Sequence, residues 1–117
     1  MSNYDKNNIF AKIIKGQIPS TKIYEDDRIL AFEDISKAAP VHILVIPKGE
    51  YISFSDFTLK AGANEVNNFF KKIAQIASDQ NLDDGYRLIT NNGHNAGQTV
   101  FHFHFHILGK KKMTDLL

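Results

Sequence analysis

The chain has 117 residues, 43% hydrophobic and 23% charged, with a formal net charge of +1 and no cysteine. That length describes one domain with short tails, roughly 1–7 and 113–117, and a thin core that dimerisation would help. The near-neutral charge argues against nucleic acid or a membrane surface as partner, and the lack of cysteine removes disulfides, thiolate catalysis and cysteine-type zinc sites.

Met1 to Asn8 is polar, with no apolar signal core, and no window approaches the roughly 20 apolar residues of a membrane span, so the expected location is the cytoplasm. Ile9, Phe10, Ile13 and Ile14 form a short helical stripe, with Asn7 or Asn8 as cap and Gly16 at its end. Pro19 and Ser20 mark a turn. Lys22–Glu25 and Ile29–Glu33 read as short strands, with Glu25-Asp26-Asp27-Arg28 turning between them. Phe32-Glu33-Asp34-Ile35 runs into a loop from Ser36 to Pro40. Val41 to Ile46 is an almost continuous apolar run stopped by Pro47, the pattern of a central strand. His42 interrupts that run on the face of Leu44 and Ile46. Read alone, it is a core or rim histidine satisfied by a backbone group.

Tyr51 to Phe57 reads as irregular. Leu59, Ala63, Val66, Phe70, Ile73 and Ala77 recur at three- and four-residue steps, and Phe69 and Ile76 widen the stripe. That spacing predicts one long amphipathic helix over 62–79. Asp83-Asp84-Gly85 is a turn, Tyr86 to Thr90 a strand of alternating polarity, and Asn91 to Gly97 a polar loop with two glycines. Lys110 to Lys112 reads as a solvated basic end. Short connections between strands favour antiparallel pairing. The expected fold is therefore α+β, a five-stranded antiparallel sheet with one short and one long helix packed against it.

The stretch Phe101-His102-Phe103-His104-Phe105-His106-Ile107-Leu108 carries the chemistry. Period two is the strand period, so the imidazoles share one face and the phenylalanines the other. Residues two apart on a strand lie roughly 6.5–7 Å apart, close enough to act on one small anionic group or one metal. Three neutral imidazoles plus water make a known zinc arrangement, with Asp34 as a carboxylate that could arrive through space. The competing chemistry needs no metal: one neutral histidine attacks phosphorus while its neighbours orient it and carry positive charge. Imidazole titrates near 6.5, so neutral and protonated histidines can divide these roles. The preceding loop favours phosphate. Gly97-Gln98-Thr99 offers backbone N–H groups, an amide and a hydroxyl, and Asn91 ends the neighbouring strand. Asp34, at a strand end, suits a pair of vicinal ribose hydroxyls.

His102 to Leu108 matches the signature His-φ-His-φ-His-φ-φ, with φ apolar, at every position. Beside it stand Ile9-Phe10 with Ile13-Ile14, Glu25-Asp26-Asp27, Phe32-Glu33-Asp34-Ile35-Ser36, Ala39-Pro40-Val41-His42, Val45-Ile46-Pro47-Lys48 and Gly97-Gln98-Thr99-Val100. Over roughly residues 8–113 the chain resembles the histidine triad proteins, and most closely their Hint branch of nucleoside phosphoramidase-like nucleotide-binding proteins. The resemblance implies a homodimer that joins two five-stranded sheets, with the long helix in the interface. It also implies a two-step hydrolysis at the α-phosphorus of a purine nucleotide, with no metal or other cofactor required.

By this resemblance His104 attacks and forms a nucleotidyl-histidine, an amine leaves, and water releases the monophosphate. His102 orients the nucleophile, with His42 behind it in the same network. His106 contacts the phosphate and the leaving-group side, and Thr99, where the family often has serine, helps protonate the amine. Asn91, Gly97 and Gln98 hold phosphate, Asp34 holds the ribose, and Phe10, Ile13, Ile18, Phe32 and Ile35 line the base pocket. A dinucleoside polyphosphate hydrolase and a nucleotide-binding module with little catalysis are the alternatives. Two features depart from the family: His94 in the phosphate loop, and a short tail, Thr114 to Leu117, that lacks a tryptophan- and proline-containing end.

Overall fold

Strands β1 (Lys22–Glu25), β2 (Ile29–Glu33), β3 (Val41–Pro47), β4 (Tyr86–Ile89) and β5 (Phe105–Gly109) pair in the order β1-β2-β3-β5-β4. Every neighbouring pair is antiparallel. The computed structural model describes residues 3–116; Met1, Ser2 and Leu117, the ends of the expected tails, lie outside the described residues. The most apolar run, β3, is flanked by β2 and β5, where both of its faces are covered.

Helices α1 (Ile9–Ile14) and α3 (Ala63–Asp79) lie where the apolar spacing places them. Asn8 caps α1, its Oδ1 accepting the Ala11 N–H at 2.9 Å. Gly16 follows at φ +77°, a conformation that costs other residues a Cβ clash. Helix α2 (Phe54–Lys60) begins within Tyr51 to Phe57, expected to be irregular, and takes in Leu59, which the apolar spacing assigned to the long helix. Its sequence signal is short: Ser53 at the N-cap accepts the Asp56 N–H, and Phe57 is its one buried residue.

The period-two alternation sorts the sheet's side chains into two cores. Ile43, Val45, Phe103 and Ile107 meet Phe57 of α2 and Phe69, Ile73 and Ile76 of α3. Phe103 stacks on Phe57 at 4.7 Å between ring centres, 25° from parallel. Burial of each such side chain contributes roughly 1.5–3 kcal/mol. On the other face, Leu30, Phe32, Leu44 and Ile46 form a smaller core with Phe10 and Ile13 of α1.

The expected histidine strand is shorter than its sequence pattern. Only Phe105 onward is in the ladder, because β3 pairing stops at Val45↔Phe105 and β4 pairing stops at Ile89↔His106. Upstream, other groups fasten the extended chain: the Phe103 N–H donates to the Tyr51 carbonyl at 2.8 Å, and Thr90 Oγ1 donates to the His104 carbonyl at 2.6 Å. None of the described helices is long and apolar enough to cross a membrane.

Candidate functional site

Phe103 and Ile107 point into the α3 core, so His102, His104 and His106 are turned to the α1 side, as period two requires. There a cleft of about 630 Å³ opens, a size typical of small-molecule sites. Phe10, Ile13, Ile18 and Phe32 line one part; Asp34, Thr99, His104 and His106 supply polar groups. Ile35 also borders the cleft, as a residue 98% exposed.

The partners of each imidazole decide its tautomer. His102 is fully buried, and its Nε2 lies 2.7 Å from the Pro47 carbonyl. A carbonyl only accepts, so Nε2 carries the proton. Nδ1 is then the acceptor, for the Tyr4 hydroxyl at 2.5 Å. His104 Nδ1 lies 2.7 Å from the His102 carbonyl, so this nitrogen carries the proton and Nε2 keeps its lone pair. Phe10 meets the His104 ring edge-on, 4.9 Å between centres at 89°. His42 Nδ1 accepts the Ala38 N–H at 3.1 Å, which leaves the proton on Nε2 to be donated to His106 Nδ1 at 2.8 Å. His106 is thereby left with its own proton on Nε2.

Burial lowers the pKa of all four imidazoles. His102 and His106 are pushed down to about 4, with neighbouring imidazoles adding to burial in each case. His104 is lowered too, burial outweighing its bond to the His102 carbonyl and the attraction of Asp34. For His42 burial also outweighs Asp34, whose Oδ2 lies 3.4 Å away, so that contact is not an ion pair at neutral pH. The expected mixture of neutral and protonated histidines is therefore corrected: at pH 7 all four are neutral, and the roles divide by tautomer.

The expected placements of His42, Gln98, Gly97 and Asn91 also change. His42 stands behind His106 and Asp34, not behind His102, because β3 pairs with β5 so that Leu44 faces His106 and His42 faces Leu108. The Gln98 amide is buried and occupied: Nε2 donates to the carbonyls of Ile52 (2.7 Å) and Val100 (3.1 Å), and Oε1 accepts the Gly93 N–H (2.8 Å). The Gly97 and Gln98 N–H groups are spent on the carbonyls of His94 and Gly93, closing the loop on itself. Asn91 and Gly97 do not line the cleft, whereas Thr99 does.

Sequence reasoning missed Tyr4, assigned to a tail, and Ser20, whose Oγ borders the cleft buried and without a hydrogen-bond partner. Neither carries a motif; each is placed by what folds over it. Asp34 accepts the Ser36 N–H through Oδ1 at 2.7 Å and turns Oδ2 toward His42. One ligand atom each from Asp34, His42 and His106 lie within 4.8 Å of one another, a nitrogen and oxygen set that suits zinc. A metal there would need the His42 Nε2 proton removed and the His42–His106 bond opened.

The profile of the HIT domain matches residues 15–113. An uncharacterized HIT-like protein of Rickettsia prowazekii is 58% identical over 115 residues, 97% of this chain and 96% of that protein. A 14 kDa zinc-binding protein of Zea mays is 42% identical over 114 residues, 93% of this chain and 86% of that protein. Among solved structures, a HIT family hydrolase from Clostridium thermocellum superposes with a TM-score of 0.88 at 43% identity, covering 97% of this chain and 99% of that one. A histidine triad protein from Clostridium difficile gives 0.84 at 43% identity over the whole of both chains.

Proposed function

The chain belongs to the HIT domain family, and from that premise we propose that it is a hydrolase of purine nucleoside phosphoramidates, acting at the α-phosphorus. The observation that carries the reading is the His104 tautomer. Its Nδ1–H is bonded to a carbonyl, so an unprotonated Nε2 is ready beside the cleft without prior loss of a proton.

In the first step His104 Nε2 forms a bond to phosphorus and the phosphorus–amine bond breaks. The departing nitrogen takes a proton from His106 Nε2 or the Thr99 hydroxyl, and leaves as a neutral amine. In the second step water attacks phosphorus, the phosphorus–His104 bond breaks, and the water proton returns to the group that gave one up. The sum is phosphoramidate plus water to monophosphate plus amine. His42 Nε2–H holds His106 Nδ1 as acceptor, which keeps the His106 proton on the nitrogen available for transfer. Asp34 accepts the ribose hydroxyls, and Phe10, Ile13, Ile18, Phe32 and Ile35 enclose the base. Phosphate contacts fall to Thr99 and His106; Asn91, Gly97 and Gln98 shape the loop that presents Thr99. The reaction needs no metal and takes place in the cytoplasm. The protein acts as a homodimer, a reading that the unpaired edge of β4, with Tyr86 and Leu88 exposed, supports.

Acid quench of a reaction with a radiolabelled purine phosphoramidate should trap label on the protein. His104→Ala should abolish both label and turnover while monophosphate binding survives. Near-normal turnover by His104→Ala would remove the assignment. The Asp34, His42 and His106 cluster, with the name of the maize relative, favours one other reading, a zinc site. Exhaustive dialysis against a chelator separates the two: full turnover afterwards excludes a required metal.

A further inference from the structure

We infer that Tyr4 is a positioning residue of this site, holding His102 in the one tautomer and orientation that keep the His102 carbonyl on His104. The inference rests on the reading of His104 as nucleophile.

His102 is fully buried, so each of its ring nitrogens requires a partner inside the protein. The Pro47 carbonyl takes Nε2–H at 2.7 Å. The other nitrogen is a lone pair, and the Tyr4 hydroxyl meets it at 2.5 Å. Burial raises the Tyr4 pKa, with Asn8 opposing and Glu50 and Asp5 assisting, so the phenol is protonated at neutral pH and remains a donor. The two bonds lie on opposite sides of the ring and fix its plane. The residue so fixed also offers its backbone carbonyl, 2.7 Å from His104 Nδ1. The peptide group that carries this carbonyl is held on one side by the Phe103 N–H on the Tyr51 carbonyl and on the other by the His102 ring, anchored at both nitrogens, so loss of a ring anchor lets it tilt away from His104 Nδ1.

Tyr4 is not on a loose end. The Asn8 backbone N–H and Nδ2 both donate to the Asp5 carbonyl, at 3.2 and 2.7 Å, and Asp5 Oδ1 accepts the Asn7 N–H at 2.9 Å. Asn8 Oδ1 then caps α1. The segment is thus folded onto the N-terminus of α1, whose Phe10 meets the His104 ring. One stretch of chain delivers Tyr4 to His102 and Phe10 to His104.

Tyr4→Phe removes one oxygen and keeps the edge-on ring contact with His102, 5.6 Å between centres. Long-range proton–nitrogen spectra of the imidazoles read the outcome directly. The His102 Nδ1 resonance should shift toward that of an unbonded acceptor nitrogen, and His104 should become a mixture of tautomers. With a purine phosphoramidate, kcat should fall about 3- to 10-fold with KM unchanged, the split expected when orientation of the reacting group is lost. A variant whose His104 keeps a single tautomer and whose kcat is that of the wild type overturns the inference, as does a rise in KM alone. If the wild type does not turn over phosphoramidates, the chemistry assigned above fails, and the His104 tautomer in Tyr4→Phe alone decides the role of Tyr4. If Tyr4→Phe folds poorly, the wild-type His102 Nδ1 resonance decides: an unbonded position there refutes the inference.

Discussion

His42 Nε2 lies 2.8 Å from His106 Nδ1, and the direction of that bond is set from behind, by the Ala38 N–H on His42 Nδ1 at 3.1 Å. A backbone N–H can only donate, so one peptide group determines which nitrogen of His106, two rings away, carries the proton.

His42→Phe keeps a ring in this space and removes the donor. His106 is then free to carry its proton on Nδ1, where it faces away from a leaving group. We expect kcat to fall about 10- to 100-fold, less than the roughly 100- to 10,000-fold for loss of the proton donor itself, because His42 orients His106 and does not give up the proton. The loss should be larger for alkylamine leaving groups, which need a proton, than for arylamines, which need it less. Steady-state rates on a matched pair of phosphoramidates check this; equal losses on both would place His42 outside proton transfer.

Asp34→Asn is nearly isosteric, and Asn Oδ1 still accepts the Ser36 N–H that Asp34 takes at 2.7 Å. What changes is the other oxygen, which becomes an amide nitrogen that carries no charge and cannot accept from ribose. A hydrogen bond to a charged group contributes roughly 1.5–3 kcal/mol, so KM for a ribonucleotide substrate should rise about 10- to 100-fold with kcat little altered. A 2′-deoxy substrate should start with the higher KM and lose less on mutation. If both substrates lose equally, Asp34 acts through His42 and not on the sugar.

Acid should weaken the fold through the buried imidazoles. His102 and His106 bind protons only near pH 4 in the native state, against 6.5 when unfolded. Between those values the unfolded chain binds more protons. Stability is therefore complete above pH 6.5, falls as pH drops toward 4, and changes little further from these groups. For fully buried His102 the loss is about 3 kcal/mol. Urea midpoints at pH 7.5, 6, 5 and 4 should decline across that window. A Tyr4→Phe, His102→Gln double variant should show a shallower decline.

The face that the site uses was legible from period two alone. His102, His104 and His106 share a side although two of them precede the β5 ladder, because alternation needs only an extended chain, not a paired one. The long helix was legible for the same reason, its stripe at 69, 73, 76 and 77 being buried as spaced. The division of labour among the histidines was not. It depends on the Pro47 carbonyl, the Ala38 N–H and the Tyr4 hydroxyl, brought in by β3, the loop before it and the N-terminal segment. No local pattern encodes which backbone group will meet an imidazole. Helix α2 was hidden because two phenylalanines in seven residues, preceded by a Ser53 cap, make too brief a period to distinguish from a loop.

Gln98 tests whether the loop before the triad is a phosphate grip or a scaffold. Its amide makes three hydrogen bonds, to the Ile52 and Val100 carbonyls and from the Gly93 N–H, and the residue is 3% exposed. Gln98→Ala leaves these three backbone groups without their partner, at a cost of roughly 2–4 kcal/mol, which should lower Tm by several degrees. Gln98→Glu should be worse, since it sets a carboxylate oxygen against two carbonyls. Because Thr99 and Val100 follow directly and line the cleft, kcat should fall in both variants as the loop loosens. Monophosphate affinity, measured well below Tm, should change less than twofold, because the amide does not face the ligand. A variant of unchanged Tm but weakened monophosphate binding would return Gln98 to the phosphate and make its bonds to the loop incidental.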